Sequence, residues 1–131
     1  MLTNRKVVVG VTGGIAAYKA AELVRQLARL GASIRVIMTP AAMEFITPLT
    51  FETLTGHPVL VGLFPGEKGG GTVHIEWARW ADCFVICPAT ANTIAKAAHG
   101  FADNALTTTL LATTAPLLFC PAMNKEMYAT P

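Results

Sequence analysis

The chain has 131 residues, 53% of them apolar and only 14% charged, with a formal charge of +2. That length supports one domain with a buried core, and the scattered Lys and Arg form no basic cluster of the kind nucleic acid demands, which excludes DNA and RNA as partners. So apolar a domain either buries a sheet on both faces or offers apolar surface to another subunit.

Lys6 to Val11 is a β-branched run that predicts a first strand, followed by Thr12-Gly13-Gly14 and a helix over Ile15 to Leu30. Lys19, Glu22, Gln26 and Arg29 line one face of that helix and Leu23, Leu27 and Leu30 another, and Gly31 stops it. Arg5 and Lys6 before the strand mimic a secretory signal, but glycines break the apolar run and an amphipathic helix follows at once. Ser33 to Met38 reads as the second strand, and short helices starting on proline cover Pro40 to Glu44 and Pro48 to Thr55. Val59 to Leu63 suggests a third strand, after which Pro65 to Thr72, rich in glycine and proline, reads as a mobile loop. His74 stands where that loop ends, before a short helix over Ile75 to Ala81.

The stretch from Ala81 to Asn104 reads as strand, loop and helix, with Pro88 ending a strand over Cys83 to Cys87. Thr90, Asn92 and Thr93 then offer hydroxyl and amide groups where the next helix opens. Ala105 to Ala112 continues as helix, Leu117 to Cys120 is a strand, and Asn124 to Ala129 begins another helix. Ala105 to Met123 carries no charge, but five threonines and Pro116 interrupt it, so a buried helix and strand fit better than a membrane span. Cys83, Cys87 and Cys120 all fall in predicted strands without a C-x-x-C pair, which predicts buried, reduced thiols in a cytoplasmic protein.

Alternation of strand and helix predicts an α/β fold with a doubly wound parallel sheet, in one domain over residues 1–131. The last predicted element is a helix in mid-course, and a domain of this kind is expected to continue to at least one more. Ligands of such sheets bind at the carboxyl edge of the strands. Gly10, Gly13 and Gly14 permit close backbone approach there, and a helix opening at Ile15 points N–H groups at an anion. The spacing is not G-x-G-x-x-G, and no acid follows the second strand at Thr39-Pro40, which argues against a dinucleotide. Nor is it a P-loop, because Lys19 lies between Tyr18 and Ala20. A mononucleotide phosphate held by Gly13, Gly14, Thr39 and the Thr90 loop fits what remains. Pro121-Ala122-Met123-Asn124 repeats the strand-proline-loop pattern, so it belongs on the same edge. His74, Asn92 and Asn124 are the polar candidates there, His74 as a general base near neutral pH. Met123, Met127 and Tyr128 offer an apolar wall, and His57 and His99 read as helix-terminus residues.

GGIAAYK at 13–19, HIEWARWAD at 74–82, PATANT at 88–93, GFADN at 100–104 and PAMNKEMY at 121–128 together resemble the flavin-containing cysteine decarboxylases, in the family's order. The match is nearest to the phosphopantothenoylcysteine decarboxylase branch, of coenzyme A biosynthesis. The resemblance implies a flavodoxin-like fold, a trimer or dodecamer, and FMN at the subunit interface. It implies that Gly13, Gly14, Ile15 and Thr39, Pro40 and Ala41 meet the phosphate and ribityl chain, with Thr90, Ala91, Asn92, Thr93 and Ala122 around the remainder. It makes His74 the catalytic base and gives Asn124, with the backbone near Met127, the carboxylate of 4′-phosphopantothenoylcysteine. The implied reaction oxidises the sulfur-bearing carbon, loses CO₂ from the thiocarbonyl acid and returns the hydride, yielding 4′-phosphopantetheine with no net redox change. No metal and no membrane are implied. Thr90, Tyr128 and Ala105 depart from the family's usual Ser, Trp and Leu. The family's substrate flap, with its cysteine, and a ligase domain are expected beyond Pro131, and none of the three cysteines here takes the flap position. A flavin prenyltransferase of the same fold and a non-catalytic FMN-binding regulatory subunit are the alternatives. HIEWARWAD argues against the first and an intact His74 and Asn124 against the second.

Overall fold

A computed structural model describes residues 1–62 and 73–129. The strands are β1 (Lys6–Val11), β2 (Ser33–Met38), β3 (Cys83–Ala89) and β4 (Leu117–Pro121), and the helices α1 (Tyr18–Arg29), α2 (Pro48–Thr55), α3 (Val73–Trp80), α4 (Ala91–His99), α5 (Ala105–Ala112) and α6 (Lys125–Ala129). All four strands are parallel, in the order β2-β1-β3-β4. This is the flavodoxin-like arrangement, whose strand order reverses direction beside β1.

Side chains alternate across a strand, and here the alternation sorts the core into two layers. Val7, Val9 and Val11 of β1, Ile34, Val36 and Met38 of β2, and Val85 of β3 face one layer, where Ala20 and Val24 of α1 and Phe51 of α2 close it. Val8, Ile37, Phe84 and Ile86 face the other, closed by Trp77 of α3 and Leu106 and Leu110 of α5. Each such buried side chain stabilises the fold by about 2 kcal/mol relative to an exposed one. Coverage on both faces of β1, β2 and β3 accounts for much of the apolar composition without alternating polar positions, while β4 leaves Leu117 and Leu118 exposed.

Several expectations are corrected in detail. Pro88 does not end β3: the strand runs through it to Ala89, with a cis Cys87–Pro88 peptide and a register shift against β4 between Ile86 and Ala89. Val59 to Leu63 gives no third strand among the described residues. Leu60 makes a single bridge to Ile37, its N–H donating to Val36 O at 3.1 Å and its carbonyl accepting from Met38 N–H at 3.0 Å. Leu63 and the loop expected over 65–72 lie outside the described residues. The helix after the glycines opens as a 3₁₀ turn over Ile15–Ala17 before α1, and α3 begins at Val73, so His74 is in its first turn. Cys83, Cys87 and Cys120 are free thiols, half-buried instead of buried, because they pack at the margin of the first layer. Among the described residues no helix is long and apolar enough to cross a membrane.

Candidate functional site

Because the sheet is parallel, the segments that follow all four strands emerge on one edge. Gly13 follows β1, Thr39 to Ala41 follow β2, and Thr90 to Thr93 follow β3 into α4. They line one open cleft of about 380 Å³, together with Lys96, Asp103 and Asn104.

The glycines of the first turn act chiefly on the protein itself. None of Gly10, Gly13 and Gly14 is among the positive-φ residues. A Cβ at Gly10 would stand 2.6 Å from a Leu106 methyl, so that glycine lets α5 lie close on the sheet instead of serving a ligand. One at Gly13 would stand 2.4 Å from the Ala41 Cβ, so that glycine lets the turns after β1 and β2 meet. Only at Gly14 is there room, with Thr90 and Pro88 at ordinary contact distance. The 3₁₀ turn beyond it has no side-chain cap, which leaves its leading N–H groups for an anion or water.

The other walls are pinned by hydroxyls. Thr39 Oγ1 accepts from Ala42 N–H at 3.2 Å and donates to Val11 O at 3.5 Å, tying the second turn to β1. Thr90 caps α4, accepting from Thr93 N–H at 3.3 Å. Asn104 caps α5 in a reciprocal box, its Oδ1 accepting from Thr107 N–H at 2.9 Å while Thr107 Oγ1 accepts from Asn104 N–H at 3.2 Å. Lys96 Nζ stands 2.8 Å from Asp103 Oδ2, and that hydrogen bond holds the Asp103 carboxyl below its usual range. The cleft thus offers hydroxyls, carboxamides, backbone N–H groups and one cation whose charge is matched by its neighbour. Such a donor set suits a phosphorylated small molecule, and among the described residues no cluster of His, Cys, Asp and Glu could hold a metal.

Other expected site residues stand apart from this cleft. Ile15 is 84% exposed. Ala91 and Met127 line a separate apolar groove of about 540 Å³ between α4 and α6, with Ile94, Met123 and Tyr128. Ala122 is half-buried and donates its N–H to Ala89 O at 3.1 Å, which keeps the turn after β4 beside the end of β3. Asn124 is exposed, and its Oδ1 accepts from Met127 N–H at 2.8 Å, so that N–H is spent on capping α6. His74 is half-buried on α3, one turn before Trp77, and does not line the cleft. Its helix is clamped elsewhere. The Arg35 guanidinium lies 4.3 Å from the Trp80 ring centre and 5.4 Å from that of Trp77, and Thr113 Oγ1 donates to Ala78 O at 2.7 Å.

The sequence reading assigned no role to Lys96, Asp103 and Asn104. A signal was present: Lys96 follows Asn92 and Thr93 by one helical turn, and Asn104 stands three residues before Thr107 at a helix start.

The family model described as Flavoprotein matches residues 1–131. The chain is 50% identical over 131 residues to the coenzyme A biosynthesis bifunctional protein CoaBC of Bacillus subtilis (strain 168), covering 100% of this chain and 32% of that protein. It therefore spans about a third of the length of the curated relatives it matches. Among solved structures, the FMN-dependent cysteine decarboxylase SpaF superposes with a TM-score of 0.89 at 38% identity, covering 100% of this chain and 75% of that one. A PPC decarboxylase mutant complexed with pantothenoylaminoethenethiol superposes with a TM-score of 0.80 at 30% identity, covering 97% and 71%. A parallel sheet with its polar cleft at the carboxyl edge, and a family pattern matched from first residue to last, lead to one assignment: the chain belongs to the flavoprotein family.

Proposed function

We propose that this chain is the FMN-binding unit of a cysteine decarboxylase that converts 4′-phosphopantothenoylcysteine to 4′-phosphopantetheine in coenzyme A biosynthesis. The observation that carries the reading is the convergence of Gly13, Thr39, Pro40, Ala41, Thr90, Asn92 and Thr93 on one cleft, in a chain half identical to a coenzyme A biosynthesis protein.

The residues fit the cofactor's phosphate and ribityl end. The backbone N–H groups of the uncapped turn that follows Gly13 would face the phosphate, and the Thr39 and Thr90 hydroxyls with the Asn92 and Asn104 amides would meet the ribityl hydroxyls. Ala91 and Ala122 border the same edge. FMN, when bound, supplies a reversible two-electron acceptor, which this decarboxylation needs because CO₂ can leave only once its electrons have a thiocarbonyl to enter. The chain's own groups do the rest. His74 takes the proton released from the substrate sulfur, and the Asn124 NH₂, oriented by the Met127 cap, donates to the substrate carboxylate.

His74 and the cleft do not meet within one chain, and Ile15, Tyr18 and Leu49 leave 84%, 66% and 68% of their surface exposed. Both observations favour self-association with the reaction at a subunit boundary, and we take the assembly to be a trimer or a dodecamer of four trimers, in the cytoplasm. The first test is chemical. The purified protein should be yellow, release FMN and not FAD on extraction, scatter light as a multiple of three, and as the full gene product release CO₂ from 4′-phosphopantothenoylcysteine. Retention of FMN without any CO₂ release would favour a binding subunit.

A further inference from the structure

Thr12 ends the first strand's course and is 1% exposed. Its hydroxyl donates to the Pro88 carbonyl and accepts from Thr90 N–H at 3.1 Å, reaching 76 and 78 residues along the chain. The backbone ladder between β1 and β3 runs from Val7 opposite Cys83 to Gly10 opposite Ile86. Two residues further in the same register, Thr12 comes level with Pro88, which has no N–H to give. Where the backbone ladder gives out, the Thr12 side chain ties the two strands, and it satisfies two backbone groups that flank Ala89.

The position of this tie matters for the cleft. On one side of Thr12 is Gly13, closed against Ala41; on the other is the loop that presents Thr90, Asn92 and Thr93. Thr12 itself does not line the cleft. Among the described residues its hydroxyl is the polar link between the two walls: the Thr39 bonds stay on the β1–β2 side, and the Thr90 cap stays within α4.

We propose that Thr12 is a positioning residue for the cofactor, its buried hydroxyl fixing the separation between the Gly13 turn and the Thr90 loop. The proposal rests on the reading of the cleft as the FMN site. Thr→Val keeps shape and removes both hydrogen bonds, whereas Thr→Ser keeps the bonds and removes a methyl.

The test is titration of FMN into flavin-free protein, followed by quenching of flavin fluorescence, with the bound flavin's visible circular dichroism as a second readout. Thr12→Val should weaken FMN by about tenfold or more, as expected for a bound site whose backbone groups have lost their partners, and should change the bound spectrum. Thr12→Ser should bind within about twofold of the wild type and restore the spectrum. Wild-type affinity and spectrum in Thr12→Val overturn the proposal and leave the FMN reading standing. Failure of the wild type to bind FMN overturns both. If Thr12→Val does not fold, Thr12→Cys against Thr12→Ser decides, because a thiol is a poor donor of similar size: weaker FMN binding in Cys supports the proposal, and equal binding overturns it.

Discussion

The cleft and the residues expected to act on substrate are built in different ways. The cleft is assembled inside one chain, from turns after three adjacent strands, and each turn is fixed by a hydroxyl or by a glycine packed so close to its neighbour that a Cβ would clash. His74 stands in the first turn of α3, which packs on α5 and carries Trp80 under Arg35 of β2, and Asn124 stands just before the exposed α6. One region is a pre-formed polar cleft, and the other consists of single polar groups on helix ends. Holding and reacting are therefore separable by mutation.

The largest expected effect falls on the reacting side. His74→Asn should lower CO₂ release by roughly 10²-fold or more, the scale of a lost general base, while FMN content and assembly stay unchanged. Loss of flavin in that variant would erase the division between the two regions. On the holding side, Gly13→Ala forces a methyl against Ala41 and should weaken FMN by about tenfold and lower the unfolding free energy by ~1–3 kcal/mol, the usual cost of overpacking. Gly13→Ala combined with Ala41→Gly should regain only part of both, measured by flavin titration and urea unfolding, because the carbonyl carbon of residue 41 would still stand 2.9 Å from the new methyl; an Ala41→Gly change that regains nothing would mean that the side-chain clash is not what the glycine avoids.

A smaller effect is expected at Asn124. Asp caps a helix as well as Asn does, so Asn124→Asp should keep α6 and the flavin colour. It sets a negative charge against the substrate carboxylate, and KM should rise by about three- to tenfold, with kcat less affected. An unchanged KM would remove Asn124 from the substrate.

The smallest effect concerns neither region. Burial, then the neighbouring Cys120, pushes the Cys87 thiol up from 9.0 to about 11. The fold thus favours the protonated thiol, so its contribution is whole below pH 9 and is lost as pH rises toward 11. Urea midpoints should fall slightly across that window, and less in Cys87→Ser. The thiol is half-buried, and solvent screening keeps the loss small.

What the sequence made legible follows from the same division. Strands with uninterrupted apolar runs and glycine or proline punctuation are local signals, and β1, β2, β4, α2 and α5 stand at or within a residue of their expected bounds. The convergence of the Gly13, Thr39 and Thr90 turns followed from topology alone, because parallel strands must end on one edge. What escaped depended on distance in the chain. Pro88 was read as the end of its strand, and nothing nearby shows that a Thr12 hydroxyl ties its carbonyl to β1 from 76 residues away. Gly10 was read as room for a ligand, though its neighbour is Leu106 of a helix that begins 95 residues later. The cation of the cleft, Lys96, drew no reading from the sequence, because its partner Asp103 lies seven residues on, past the end of α4.

The stack of Arg35 on Trp77 and Trp80 has a practical side. These are the chain's two tryptophans, both lie on α3, and the guanidinium stands over both rings. Intrinsic emission from the flavin-free protein is therefore a report on one helix, the one that carries His74, and on nothing in the cleft. Undocking of α3 from β2 would shift that emission to the red while the yellow colour of the loaded protein speaks for the other region. The molecule carries two optical labels of its own, one for each half of the division, and a single cuvette can follow them at separate wavelengths.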